Sequence, residues 1–184
     1  MLDPMDVWRL CGALSCGFDG LLEKYLELKV TDGWVLPNLK MTGKDEACGF
    51  LNEQGRCTVH DARPGVCRLF PLGRYYSGRD FQYFVQIHEC PAPKTKVKVK
   101  KWLQIPQLPR YEAYIRDWHF FLEDAAAALE GMGDAMHTKA CTFVLETFYA
   151  RPWDETDFYE QFAGRLREGA RFMGIAAPGG EESR

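Results

Sequence analysis

The chain has no hydrophobic run near the ~20 apolar residues that a membrane span needs. Its N-terminus is not basic either: Asp3 and Asp6 stand where a secretory leader would carry positive charge. These two absences predict a cytoplasmic chain whose thiols are reduced, with no membrane among its partners. A formal charge of −3 gives no global case for nucleic acid as a partner. The sequence also lacks a GxGxxG fingerprint, a P-loop, a CxxxCxxC radical motif and any internal repeat. No Ser-His-Asp set and no paired-carboxylate site can be placed, so whether the protein is an enzyme stays open.

What it does have is cysteine. Seven occur in 184 residues, at positions 11, 16, 48, 57, 67, 90 and 141. An odd number in a reduced compartment reads as metal ligands or buried thiols rather than a disulfide framework. A chain of this length can bury about 70% of its unfolded surface and needs no crosslink to fold.

The pattern predicts an α+β protein that is mostly α: a helical domain carrying a small cysteine-bearing β-hairpin module. It reads as a single domain over about 1–174, with the cysteine module at about 45–95, a helical part at about 105–174 and a flexible tail at 175–184. Asp3 caps a first helix that carries Pro4 in its first turn and Val7, Leu10, Cys11 and Leu14 at helical spacing. After a break at Gly17–Gly20, "LLEKYLEL" (21–28) predicts a second short helix, and residues 30–55 an irregular loop that delivers Cys48.

"LFPLGRYY" and "FQYFVQIHEC" read as two strands around the turn Ser77-Gly78-Arg79-Asp80. A turn centred between Gly78 and Arg79 makes paired residue numbers sum to 157, which sets Cys67 opposite Cys90. The five lysines at 94–101 read as a solvated face or loop. Three helices follow, with stripes at Tyr111–Leu129, at Met136–Thr147 and, behind a cap of Asp157 with Glu160, at Phe158–Met173. Trp118, Phe120, Phe121, Phe148, Tyr149 and Trp153 could dock a protein partner, although a helical layer of this size calls for such residues in its core.

Cys48, Cys57, Cys67 and Cys90 are spaced C-x8-C-x9-C-x22-C, which is not the spacing of a zinc ribbon. Spacing alone leaves a metal site and a buried packing cluster both open. Around them, Asp61 and Pro64 can start a helical turn into Cys67, and Pro71 and Pro91 stiffen the backbone nearby. Four thiolates around Zn2+ or a [4Fe–4S] core leave net negative charge. Arg56, Arg63, Arg68 and Arg74 are placed in sequence to offset it, with Arg63 and Arg68 the foremost candidates for supporting the cofactor without ligating it. His60, in the pattern Cys57-x2-His60, has ligand spacing as well; Cys16, at a helix break, is a further candidate, whereas Cys11 and Cys141 lie on core stripes.

"CGFLNEQGRCTVHDARPGVCRLFPLGR" followed by "IHECP" resembles the YkgJ-like cysteine-cluster family of zinc- or iron-chelating proteins. The resemblance rests on a cysteine before an F-L pair, a "grCtiY" strand, an "RPxxCRxFP" elbow and a later Cys-Pro, and it covers roughly residues 1–120. It implies Cys48, Cys57, Cys67 and Cys90 as ligands, with Arg63, Pro64, Arg68, Phe70 and Pro71 in the elbow. His60 replaces the family's tyrosine-like residue, so the resemblance does not make it a ligand. The family opens with a CxxCxxCC stretch just before a segment like "LDPMDVWRL", where Met1 stands here; the resemblance therefore implies either a start farther upstream or a member that keeps only the second quartet. Through its cysteine motif the family is also similar to flagellin lysine N-methylase, which implies an iron–sulfur-dependent enzyme or accessory protein as an alternative. An interaction module with a purely structural zinc site is another.

Overall fold

Helix α1 (Pro4–Leu14) is fixed at its start by Asp3, whose carboxylate accepts the Asp6 N–H at 2.9 Å while the Asp6 side chain accepts the Asp3 N–H. This reciprocal cap and the proline in the first turn account for the boundary, as the sequence predicts. The computed structural model describes residues 1–43, 46–87, 96–154 and 157–178. Cys90 and residues 179–184 of the expected tail lie outside the described residues.

Helix α2 (Phe18–Lys24) begins three residues earlier than predicted, inside the expected break, with Gly17 as its N-cap, and ends four residues earlier. From Leu26 the chain is strand, not helix: β1 (Leu26–Thr31) pairs antiparallel with β2 (Trp34–Leu39). The turn between them is Asp32-Gly33, both at positive φ (50° and 82°), the backbone that matches strand twist in a two-residue hairpin. Val30 and Thr31 are β-branched, and only pairing with a second strand overrides the helical reading of the leucines before them. The expected irregular loop is thus a hairpin plus two short strands, β3 (Met41–Thr42) and β4 (Ala47–Cys48), which pair Met41 with Cys48.

The elbow begins with a 3-10 turn (His60–Ala62) and leads through Pro64, the N-cap, into α3 (Gly65–Leu69). Strands β5 (Leu72–Ser77) and β6 (Asp80–Val85) follow, pairing Leu72 with Val85 through to Ser77 with Asp80. Every pair sums to 157, the predicted register. Gly78 and Arg79 take φ of 59° and 66°, and Arg79 is held there by two bonds to Asp124 at 2.6 and 2.8 Å. The predicted first strand, however, begins three residues late. Pro71 has no N–H to give a ladder, and Cys67 lies on α3 instead of on the strand. The ladder's last bond at that end runs from Gln86 N–H to the Pro71 carbonyl at 2.9 Å.

Within the lysine-rich segment, residues from Val99 form a short helix, α4 (Val99–Leu103), whose Leu103 is fully buried. Helices α5 (Leu108–Leu129), α6 (Asp134–Leu145) and α7 (Phe158–Met173) make the helical layer, with a π-turn (Glu146–Ala150) extending α6. The α5 and α7 stripes are buried as predicted, and Asp157 caps α7 through the N–H groups of Tyr159 and Glu160. Trp118, Phe120, Phe121, Phe148 and Tyr149 are core, and Trp153 is half-buried. The core therefore runs from α1 and the first hairpin across to α5 and α7, for instance through Trp34 Nε1–H to the Leu122 carbonyl (3.2 Å) and Tyr149 O–H to the Leu2 carbonyl (3.0 Å).

Candidate metal centre

Two of the four candidate thiols stand at the base of one tight loop. Cys48 ends β4 and its carbonyl accepts the Leu51 N–H; Cys57 forms an isolated bridge with Leu51. The loop between them is locked by Asn52, whose side-chain oxygen accepts the N–H groups of Gln54 (3.1 Å) and Arg56 (2.9 Å). Phe50, buried and stacked on Tyr25 at 4.6 Å, anchors the loop to the core. Both thiols are half-buried.

Cys67 comes from the elbow. Its N–H bonds the Pro64 carbonyl at 3.0 Å, so the predicted helical turn does present it. Cys67 is exposed along one side, yet desolvation is the largest effect raising its thiol pKa, to about 11. The charges of Asp6, Cys48 and Cys57 add to the rise and Arg63 opposes it. The three described thiols thus share one electrostatic neighbourhood although they are ten and nineteen residues apart in sequence. Among the described residues, no group of three or more His, Cys, Asp or Glu side chains is gathered tightly enough to hold a metal ion.

The other predicted participants divide. Arg63 acts on Cys67 and also donates from Nη1 to His60 Nε2 at 2.6 Å, which occupies that imidazole lone pair. His60 is therefore turned to the arginines rather than to the thiols. Arg68 binds backbone: its Nε donates to the Arg63 carbonyl at 3.1 Å and its Nη2 to the Asp61 carbonyl, closing the elbow on itself. Arg74 lies elsewhere, over the rings of Phe81, Tyr83 and Tyr111 at 5.5–6.0 Å and bonded to the Tyr111 hydroxyl. Cys16 lies beside Cys11, its N–H bonded to the Cys11 carbonyl at 3.2 Å; burial and the charge of Cys16 push the Cys11 thiol up to about 11. Cys11 and Cys141 are half-buried against the core rather than inside it.

The sequence reading missed a buried polar network beneath α3. Asp6 Oδ1 accepts the Gly65 N–H at 2.7 Å, and Asp3 Oδ1 accepts the Tyr114 hydroxyl at 2.9 Å. Burial and the adjacent Asp3 carboxylate push Asp6 up to about 8, against the pull of the Gly65 and Asp3 N–H groups. The only signal for this was the pair of acids in the first turn of α1, which reads equally well as an ordinary cap.

Residues 21–91 match a family model, CxxCxxCC, whose description is "putative zinc- or iron-chelating domain". The stretch is similar to that family over less than half of the chain. The matched span holds Cys48, Cys57, Cys67 and Cys90, and is narrower than the 1–120 over which the sequence resembles the family. The matched span runs from Leu21, within α2, through both hairpins and the elbow, while α1 and the helical layer lie outside it. No curated protein and no solved structure matches the chain. Thiolate donors suit zinc and iron, so the donor chemistry of the matched span fits the metals that the family description names.

Proposed function

We propose that the protein binds zinc or an iron–sulfur cluster through four thiolates, those of Cys48, Cys57, Cys67 and Cys90. The observation that carries this reading is the match of residues 21–91, which hold all four cysteines, to a zinc- or iron-chelating family model; the charges of Cys48 and Cys57 acting on the Cys67 thiol support it. Within the chain, each part has a separate task. The Asn52-locked loop holds two ligands at a fixed spacing. Pro64 and Arg68 hold the elbow that carries the third. Arg63 favours the thiolate form of Cys67, which binding requires, so uptake releases protons. A bound zinc would supply a closed structural crosslink among these loops, and a cluster would supply one-electron chemistry.

The test is elemental analysis with a UV–visible spectrum of anaerobically purified protein. Zinc gives a colourless sample; a cluster gives a brown one with absorbance near 400 nm that is lost on oxidation. Cys57→Ser and Cys67→Ser should each lose most of the metal, whereas Cys141→Ser should retain it. Wild-type stoichiometry in both ligand variants would overturn the proposal.

A further inference from the structure

Beside the elbow lies a cleft of about 380 Å³ lined by Arg9, His60, Asp61, Arg63, Arg68 and Gln104. Three guanidiniums therefore border one small space, brought there by α1 (Arg9), the end of the 3-10 turn (Arg63) and α3 (Arg68). Among the described residues, no carboxylate comes within ion-pair distance of any of the three. The Arg9 guanidinium makes no hydrogen bond to a described residue. Arg63 has its Nη1 on His60, while its Nε is buried without a partner. Because Arg63 donates to His60 Nε2, the imidazole carries its proton on Nδ1 and adds a further donor.

Crowded like charges and an orphaned buried donor raise the free energy of the empty cleft, and an anion relieves both. Guanidinium forks present paired N–H groups that match the oxygens of a phosphate. Asp61 is the one acid on the lining, so positive charge remains in excess by two. We propose that Arg9, Arg63 and Arg68 form a binding site for a doubly charged phosphate group. The larger neighbouring cavity, about 890 Å³, shares Arg9 and Asp61 with the cleft and is lined by Trp8, Phe18 and Trp153. It gives room for an apolar body attached to the phosphate.

The experiment is a titration of the full chain with inorganic phosphate, phenyl phosphate and acetate at constant ionic strength, followed by calorimetry and by the NMR signal of the Arg63 Nε–H. Phosphate should saturate and shift that signal, and acetate should bind at least tenfold more weakly. Arg9→Gln, at a half-exposed helix position, should weaken phosphate at least tenfold with a circular-dichroism melt no lower than the parent's. Tighter binding of phenyl phosphate assigns the site to an organic phosphate, and equal binding to the free ion. The proposal is overturned if phosphate fails to saturate, if acetate matches it, or if Arg9→Gln binds as the parent does.

Discussion

The Asp6 carboxylate accepts a hydrogen bond from the Gly65 N–H at 2.7 Å, across fifty-nine residues of sequence. This bond ties the first helix, outside the matched residues 21–91, to the N-terminal end of the helix that carries Cys67. A Cβ at position 65 would stand 2.5 Å from the Tyr111 hydroxyl, closer than packed atoms can approach. The glycine of the Arg-Pro-Gly elbow is thus explained by close approach rather than by backbone conformation.

Gly65→Ala should therefore cost about 1–3 kcal/mol, the usual range for overpacking a tight site. Urea denaturation measures it. A loss under about 0.5 kcal/mol, the scale of a neutral surface change, would show that α3 does not seat on Tyr111 as described.

Stability should fall as pH rises from about 4 to about 8. Asp6 is pushed up to about 8 by burial and by Asp3, so the folded state holds a proton that the unfolded state releases near pH 4. The folded form then binds more protons throughout that window, and the slope approaches about 1.4 kcal/mol per pH unit. Arg9, Gly65 and the Asp3 N–H act in the opposite sense and are outweighed. Asp6→Asn keeps an acceptor for Gly65 and loses only the 3.3 Å contact to the Asp3 N–H, so its stability should be flatter with pH. Parallel profiles for the two proteins would refute the assignment.

Replacing Arg68 with Met keeps the apolar stem but removes the bonds to the Asp61 and Arg63 carbonyls. The expected cost is about 1–3 kcal/mol, with metal still bound but stripped faster in chelator competition. Unchanged chelator kinetics would separate the elbow from the metal centre.

Arg165 offers a control in the helical layer, outside the matched residues 21–91. Its Nη1 donates to the carbonyls of Thr147 (2.7 Å) and Arg151 (2.8 Å), its Nη2 to that of Pro152, and its guanidinium stacks on Trp153 at 3.5 Å. Arg165→Met should destabilise the chain by at least about 2 kcal/mol by leaving the carbonyls unsatisfied, without altering metal content. A melt within about 0.5 kcal/mol of the parent would contradict this role.

How much was legible in advance varies with the kind of signal. Local chemistry announced itself: Asp3-Pro4 starts a helix, Gly78-Arg79 sets a register, and the α5 and α7 stripes bury as their periodicity says. The Asp32-Gly33 turn was equally visible, but leucines at helical spacing before it masked a strand that exists only because β2 pairs with it. Arg165 stands one residue before Leu166 on a polar-looking turn, and nothing nearby announces that three distant carbonyls await it.

The sequence by itself determined the mostly helical class, the second hairpin and the cysteine motif that residues 21–91 share with the CxxCxxCC family. These depend on short-range spacing, which a linear chain displays in full. Only the tertiary structure decided which arginine does what. Arg63, Arg68 and Arg74 look alike in sequence, yet one meets His60, one closes the elbow and one sits in an aromatic box. It likewise brought Arg9 and Asp6 to the elbow on different sides, one to a cationic cleft and the other to a buried carboxyl network. A guanidinium's role is set by whatever lies within a few ångströms of it, and those neighbours come from segments far apart in the chain.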